Sequence, residues 1–175
     1  MEKWLKKKEI HQGKIFSLWG GQVALDNGEI AVREYIRHLG GVAIVPMIGG
    51  NVILIKQFRI SIERELMELP AGRLEPNEDP MSCAGRELEE EIGYRAKKLI
   101  PIASYFASVG YSNERMHLFL ALDLMRTKRR LESDERIREI VMSLETVKEK
   151  LANQEFEDSK TIIGLQETLA YFERK

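Results

Sequence analysis

The sequence predicts an α+β protein: a mixed sheet with helices, preceded by a small antiparallel sheet. Three observations carry this. Residues 9–37 alternate apolar and polar side chains, the period of strands with one face buried. Residues 41–47 are a nearly unbroken apolar run, and 52–58 run on as its partner strand, as expected of strands in a covered core. Residues 79–92, and the chain beyond Ser143, switch to helical spacing.

In chain order, Met1 to Ile10 holds Lys6, Lys7 and Lys8 and reads as a solvated leading segment, with a basic tag as the alternative. Gly20-Gly21 and Asp26-Asn27-Gly28 break the stretch that follows into the strands of the small sheet. Gly49-Gly50-Asn51 turns the chain between the two core strands. Asp79 is placed as an N-cap, Pro80 as the first helical residue, and Gly93 as the stop signal. Strand patterns return at 100–107, 116–122 and 137–142. Two helices close the chain, the first from about Ser143 and the second from about Ser159, where Ile162, Ile163, Leu165, Leu169 and Phe172 recur with a packing period. We divide the chain at residue 40: an N-terminal antiparallel sheet over 1–40 and a catalytic body over 41–175.

Bulk properties narrow the function classes. The 175 residues suit one domain with a small appendage. Lys plus Arg number 27 against 28 Asp plus Glu, so no global basic field is available to hold a nucleic-acid backbone. The single Cys83 has no partner for an intrachain disulfide, and His11, His38 and His117 lack the paired spacing of a zinc site. No run reaches the length of a membrane span, and the start lacks the apolar stretch of a signal peptide. The expectation is a cytoplasmic protein without nucleic-acid or membrane partners.

The helix over 79–92 is more acidic than its stability favours. Glu87, Glu90 and Glu91 stand at i, i+3 and i+4 and share one face. Met81, Ala84, Leu88 and Ile92 form a separate apolar stripe, and Glu89 points away from both. Like charges at these spacings cost roughly 0.2–0.5 kcal/mol per pair, and anions in the last turn oppose the helix dipole. Arg86 reaches Glu90 at i+4 but leaves Glu87 and Glu91 without a neighbour in sequence. A solvated acidic face is one reading. The other is a Mg²⁺ site, since that ion takes one or two carboxylates together with phosphates and water.

The spacing around this helix decides between them. Gly72, five residues, Glu78, seven residues, Arg86-Glu87-Leu88, one variable residue, Glu90-Glu91, Ile92 and Gly93 resemble a complete Nudix box, with Tyr94 where that family has an aliphatic residue. The resemblance implies a Nudix-type α/β/α sandwich whose glutamates hold divalent ions. By position, Glu87 and Glu91 are then the main metal ligands, with Glu90 in the same cluster as both ligand and catalytic group. Arg86 orients a glutamate, Gly72 shapes the loop, and Glu78 supports the box. Lys56-Gln57-Phe58-Arg59 and Glu68-Leu69-Pro70-Ala71-Gly72 resemble the ADP-ribose and nucleoside-diphosphate-sugar pyrophosphatases. That likeness nominates Arg59 for phosphate and the Ala71 carbonyl for metal. In Phe106-Ala107-Ser108-Val109-Gly110-Tyr111-Ser112-Asn113-Glu114, Val109 replaces the subfamily's proline. Ser108, Gly110 and Glu114 carry over as substrate contacts, and the identity of the sugar stays open.

The implied reaction is Mg²⁺-dependent hydrolysis, with Mn²⁺ as a substitute, of ADP-ribose or a related nucleoside diphosphate sugar to a nucleoside monophosphate and a sugar phosphate. In such chemistry the ion neutralises the diphosphate, and the protein positions and deprotonates the water. The resembling enzymes take their general base from an acidic loop before a late strand, which here is Glu132-Ser133-Asp134-Glu135. Glu135 is the first candidate and Glu132 the second. Arg126 to Arg130 reads as a solvated basic loop, with phosphate attraction as the alternative. Trp19, Tyr35, Phe106 and Tyr111 are candidates to stack on a base, each against a packing role. The subfamily's N-terminal sheet crosses to a partner subunit, so a homodimer is implied. Rival functions are hydrolysis of nucleoside triphosphates, dinucleoside polyphosphates or capped RNA, and a Nudix module that binds a nucleotide sugar without cleaving it.

Overall fold

The computed structural model describes every residue except Glu132, Asp134 and Lys175. The chain forms two compact units. The smaller comprises residues 1–40 together with 105–115, and the larger holds the rest.

In the smaller unit, strands β1 (Lys3–Gln12), β2 (Ser17–Ala24) and β3 (Ile30–Arg37) form an antiparallel sheet in the order β1-β2-β3. The leading segment is therefore not a loose tag: Lys6, Lys7 and Lys8 lie within β1 and pair with Gln22, Gly21 and Gly20. Gly20-Gly21 does not break the sheet either. Both glycines are inside β2, and a Cβ on Gly21 would collide with the Lys6 carbonyl. The pair marks a close approach of two backbones beside a register shift between Trp4 and Lys6. The turn falls at Asp26 to Gly28, where Gly28 takes φ 86°.

The larger unit is a mixed sheet with helices on both faces. Its strands are β4 (Gly41–Ile48), β5 (Asn51–Arg59), β6 (Arg64–Glu68), β7 (Ala71–Arg73), β8 (Tyr94–Phe106), β9 (Arg115–Arg126) and β10 (Ile137–Ser143). The central path runs β10-β5-β4-β9-β8, with β6 beside β5 and β7 beside β4. β4 and β9 are parallel, and β4 and β5 antiparallel. The short strands β6 and β7 flank Pro70 and have no counterpart in the sequence reading.

Alternation along β4 assigns its two faces. Val42 and Ile44 join Ala84, Leu88 and Ile92 of helix α1 (Pro80–Ile92) in one core cluster. Val45, from the opposite face, packs with Leu69 and Leu118 against Gly164 of α3 (Ser159–Glu173). The intervening helix is α2 (Leu144–Ala152), capped by Ser143.

Two expected apolar faces differ from the observed ones. Met81 is exposed, and Cys83 takes its place in the core beside Ala84. In α3 the buried face is Thr161, Gly164, Leu165 and Thr168, while Phe172 is exposed. A small residue at 164 lets the helix sit on Leu69 and Leu118. The Leu69 N–H donates to Thr161 Oγ1 at 2.9 Å, which accounts for a threonine facing the sheet. Among the described residues, no helix is long and apolar enough to cross a membrane.

Candidate active site

Local signals hold α1 in place. Asp79, in extended geometry, accepts from the N–H groups of Met81 and Ser82 at 3.1 Å each. Gly93 closes the other end in the left-handed region at φ 68°. Between these caps, the face bearing Glu87 and Glu91 turns into the protein, leaving Glu87 9% and Glu91 3% exposed.

Arg86 is the hub of the site. Its Nε and one terminal nitrogen each donate to Glu78 at 3.0 Å. The other terminal nitrogen reaches Glu87 Oε1 at 2.7 Å and Glu90 Oε2 at 3.1 Å. Sequence spacing shows only the Glu90 contact; Glu78 returns from the loop before the helix, and Glu87 bends back to its neighbour. The guanidinium holds the Glu78 carboxyl down to about 2. Glu87 is different: burial raises its pKa, with Glu90 and Glu135 adding to the effect, against the opposing pull of Arg86.

Glu91 forms no ion pair among the described residues. Among the same residues it accepts one hydrogen bond, from the Ala71 N–H at 2.8 Å. Burial pushes its carboxyl up to about 8; the Ala71 N–H opposes the shift, while Glu87 and Glu135 reinforce it. Gly72 adjoins this contact, and a Cβ there would fall inside the Glu87 carboxylate. The glycine is required for space beside an acid, at an ordinary backbone conformation.

A second charged cluster borders the first. Arg59 makes two 2.7 Å bonds to the Glu68 carboxylate, which is buried and also paired with Lys160. Burial raises the Glu68 pKa, but Arg59 and Lys160 outweigh it and the net shift is downward. Arg59 in turn senses the charge of Glu91, so it lies within electrostatic reach of the acidic face.

Among the described residues, no three His, Cys, Asp or Glu side chains converge as a ready-made metal cage, and Arg86 occupies Glu90 and one oxygen of Glu87. Two nearly buried carboxylates remain on one helix face, one of them without a cationic partner among the described residues. Mg²⁺ takes one or two carboxylates and completes its shell with phosphates and water. The residues fit an ion held in that way, and do not fit a closed protein cage.

A family model of the NUDIX domain matches residues 37–162. The chain belongs to the NUDIX family. It is 40% identical over 168 residues to a Bacillus subtilis protein named ADP-ribose pyrophosphatase, an alignment covering 94% of this chain and 91% of that one. It is 34% identical to a Bacillus methanolicus protein named methanol dehydrogenase activator, with the same coverage. A crystal structure of an ADP compounds hydrolase superposes with a TM-score of 0.87, covering 98% of this chain and 94% of that one at 20% identity. This NUDIX protein is a hydrolase with the family's mixed-sheet fold.

Glu135 lies between β9 and β10 of this NUDIX hydrolase, close enough for its charge to act on both Glu87 and Glu91. Glu132 lies outside the described residues. Ser108, Gly110 and Glu114 sit in the smaller unit. There the Ser108 carbonyl accepts from the N–H groups of Tyr111 and Ser112 at 3.2 and 2.9 Å, and Glu114 lies 3.6 Å from His38.

The aromatic candidates are also in the smaller unit. Lys7 stands over the rings of Trp4, Trp19 and Tyr35, and Arg115 over Phe106. Trp4, Lys7, Tyr35 and Tyr111 line a cleft of about 460 Å³. Trp4 joins the aromatics here from a segment whose lysines, in sequence, point only to a solvated leader. The basic run 126–130 is docked rather than merely solvated: Arg126 bonds the Tyr94 hydroxyl at 3.0 Å, and Arg129 bonds the Ile137 carbonyl at the same distance.

Proposed function

We propose that this protein hydrolyses the pyrophosphate of ADP-ribose or a related nucleoside diphosphate sugar, releasing a nucleoside monophosphate and a sugar phosphate. The observation that carries this reading is the buried pair Glu87 and Glu91 on one face of α1. The 40% identity to a protein named ADP-ribose pyrophosphatase supports the choice of substrate. Glu87 and Glu91, with Glu90 beside them and the Ala71 carbonyl, would hold Mg²⁺, or Mn²⁺ in its place. When bound, such an ion neutralises the diphosphate and favours ionisation of a water.

The chain's own groups do the rest. Glu135 takes a proton from the attacking water as its oxygen bonds to one phosphorus and the bridging P–O bond breaks. Arg59, whose Nε and one terminal nitrogen are held by Glu68, would offer its other terminal nitrogen to a phosphate oxygen as a charged donor. Arg86 fixes Glu87 and Glu90 and does not touch the reacting atoms. The smaller unit's sheet, in the same reading, joins a second copy to make a homodimer.

A panel of ADP-ribose, ADP-glucose, GDP-mannose, UDP-glucose, diadenosine polyphosphates and nucleoside triphosphates, with and without Mg²⁺, tests the proposal. The expected result is AMP and ribose 5-phosphate from ADP-ribose, only in the presence of the ion. A preference for triphosphates, or turnover unchanged by chelation, would sink it.

A further inference from the structure

We propose that Arg129 is a positioning residue, which ties a strap over the end of α1 to the start of β10 and so sets where Glu135 stands relative to Glu87 and Glu91. The strap is the segment 127–130, the basic run with no assigned task in the reaction.

Backbone bonds dock the strap. The Thr127 N–H donates to the Gly93 carbonyl at 2.7 Å, and the Arg130 N–H to the Glu90 carbonyl at 3.1 Å. Carbonyls at a helix C-terminus lack partners within the helix, so the strap supplies what the helix cannot. Gly93 permits the approach: a Cβ there would stand 3.0 Å from the Arg129 nitrogen and 3.1 Å from its Cβ. The strap's cations also lie at the negative end of the helix dipole, where positive charge is favourable.

Side chains reinforce the docking. Glu89, the variable residue of the box, accepts from Arg95 Nε at 2.6 Å and pairs with Arg130 at 3.6 Å. Arg126 bonds the hydroxyl of Tyr94 and lies over its ring, a partner that an aliphatic residue at 94 could not provide. Leu131 packs on the core cluster.

Arg129 alone among these spans the base of the acidic loop. One terminal nitrogen donates to the Ile137 carbonyl at 3.0 Å, and the other lies 3.6 Å from Glu139. Glu135 is two residues from that anchor. It lies on the link from the strap into β10, so a shift of the anchor displaces it. A displacement of about 1 Å in a catalytic group can cost on the order of 100-fold in rate, which makes the anchor's geometry matter.

The inference rests on Glu135 being the base, and the test separates the two. Arg129→Met and Arg129→Lys are prepared in the native and Glu135→Gln backgrounds. For each, kcat and KM for ADP-ribose are measured, with amide exchange at Thr127 and Arg130 followed by NMR. In the native background Arg129→Met should lower kcat about 10-fold or more, with KM within about twofold, because only the base is displaced. The Thr127 and Arg130 amides should stay protected, and Arg129→Lys should recover part of kcat. In the Glu135→Gln background Arg129→Met should cost nothing further.

Equal losses in both backgrounds would overturn the role of Arg129 and leave Glu135 standing. Loss of protection at Thr127 and Arg130 together with the rate would also overturn it, as a merely structural effect. Full activity of Glu135→Gln alone would overturn the base assignment and this inference with it. Should Arg129→Met not fold, Arg129→Lys carries the test, since an ammonium cannot bridge Ile137 and Glu139 as a guanidinium does. Native kcat in that variant would overturn the proposal, and a loss absent from the Glu135→Gln background would support it.

Discussion

Glu91 is a carboxyl in a place that favours its neutral form. With its pKa raised from 4.5 to about 8, the folded protein holds a proton that the unfolded chain releases. The stability this brings is complete below pH 4.5 and is lost as pH rises toward 8. Glu87 is shifted the same way. The lowered carboxyls, Glu68 and Glu78, act below this window and stay ionised throughout it. The metal-free protein should therefore lose on the order of a few kcal/mol between pH 5 and pH 8, read as a falling Tm. Glu91→Gln should flatten that slope, and Mg²⁺ should raise Tm most at the alkaline end because it binds the ionised form. A Tm that is level or rising across the window in EDTA would contradict the account.

Gly72 bears on the place of Glu87 rather than its charge. An alanine methyl there would land on the Glu87 carboxylate, the far end of a flexible side chain, so the fold can yield while the acid cannot keep its place. Gly72→Ala should lower kcat about 100-fold with Tm changed by only a few degrees. Collapse of the fold, or near-native turnover, would argue against this role for the glycine.

At the scale of elements, α1 was legible because its signals are local. Asp79, Pro80 and Gly93 mark its ends in the sequence, and the observed helix runs between them. Asp79→Ala should remove the two cap bonds and cost about 1 kcal/mol, a fall in Tm of about 2–4 °C for a chain of this size. An unchanged Tm would mean that water caps the helix equally well. What escaped the sequence was set by distant partners. β1 exposes all its side chains, so it carries no pattern that points to a core. Gly20-Gly21 resembled a turn because backbone crowding by Lys6 leaves no trace in local sequence. Helix α1 shows both cases: its glutamate face follows from spacing, whereas the bonds of Arg86 to Glu78 and of Ala71 to Glu91 need the loop and β7 to come back to it. The docking of the strap is hidden for the same reason, since its partners Gly93, Glu89 and Ile137 lie far from it in sequence or are backbone atoms.

At the scale of the molecule, the smaller unit poses a problem of burial. A sheet of three strands needs an apolar face covered to be stable, yet Val32 is 67% and Ile30 62% exposed, and Leu5 and Ile10 are exposed as well. Ile30 and Val32 are two residues apart on β3 and share a face. A second copy of this chain would cover such a surface, and a net charge of −1 offers little repulsion to oppose it. The homodimer proposal thus places these side chains in the interface. In sedimentation at micromolar concentration the native protein should run as a dimer. Val32→Asp sets a carboxylate in a desolvated apolar contact and should weaken association about 100-fold or more. Its α1 and glutamate site lie in the other unit, so its far-ultraviolet dichroism should stay native. A native protein that sediments as a monomer, or a Val32→Asp dimer as tight as the native one, would remove this face from the interface.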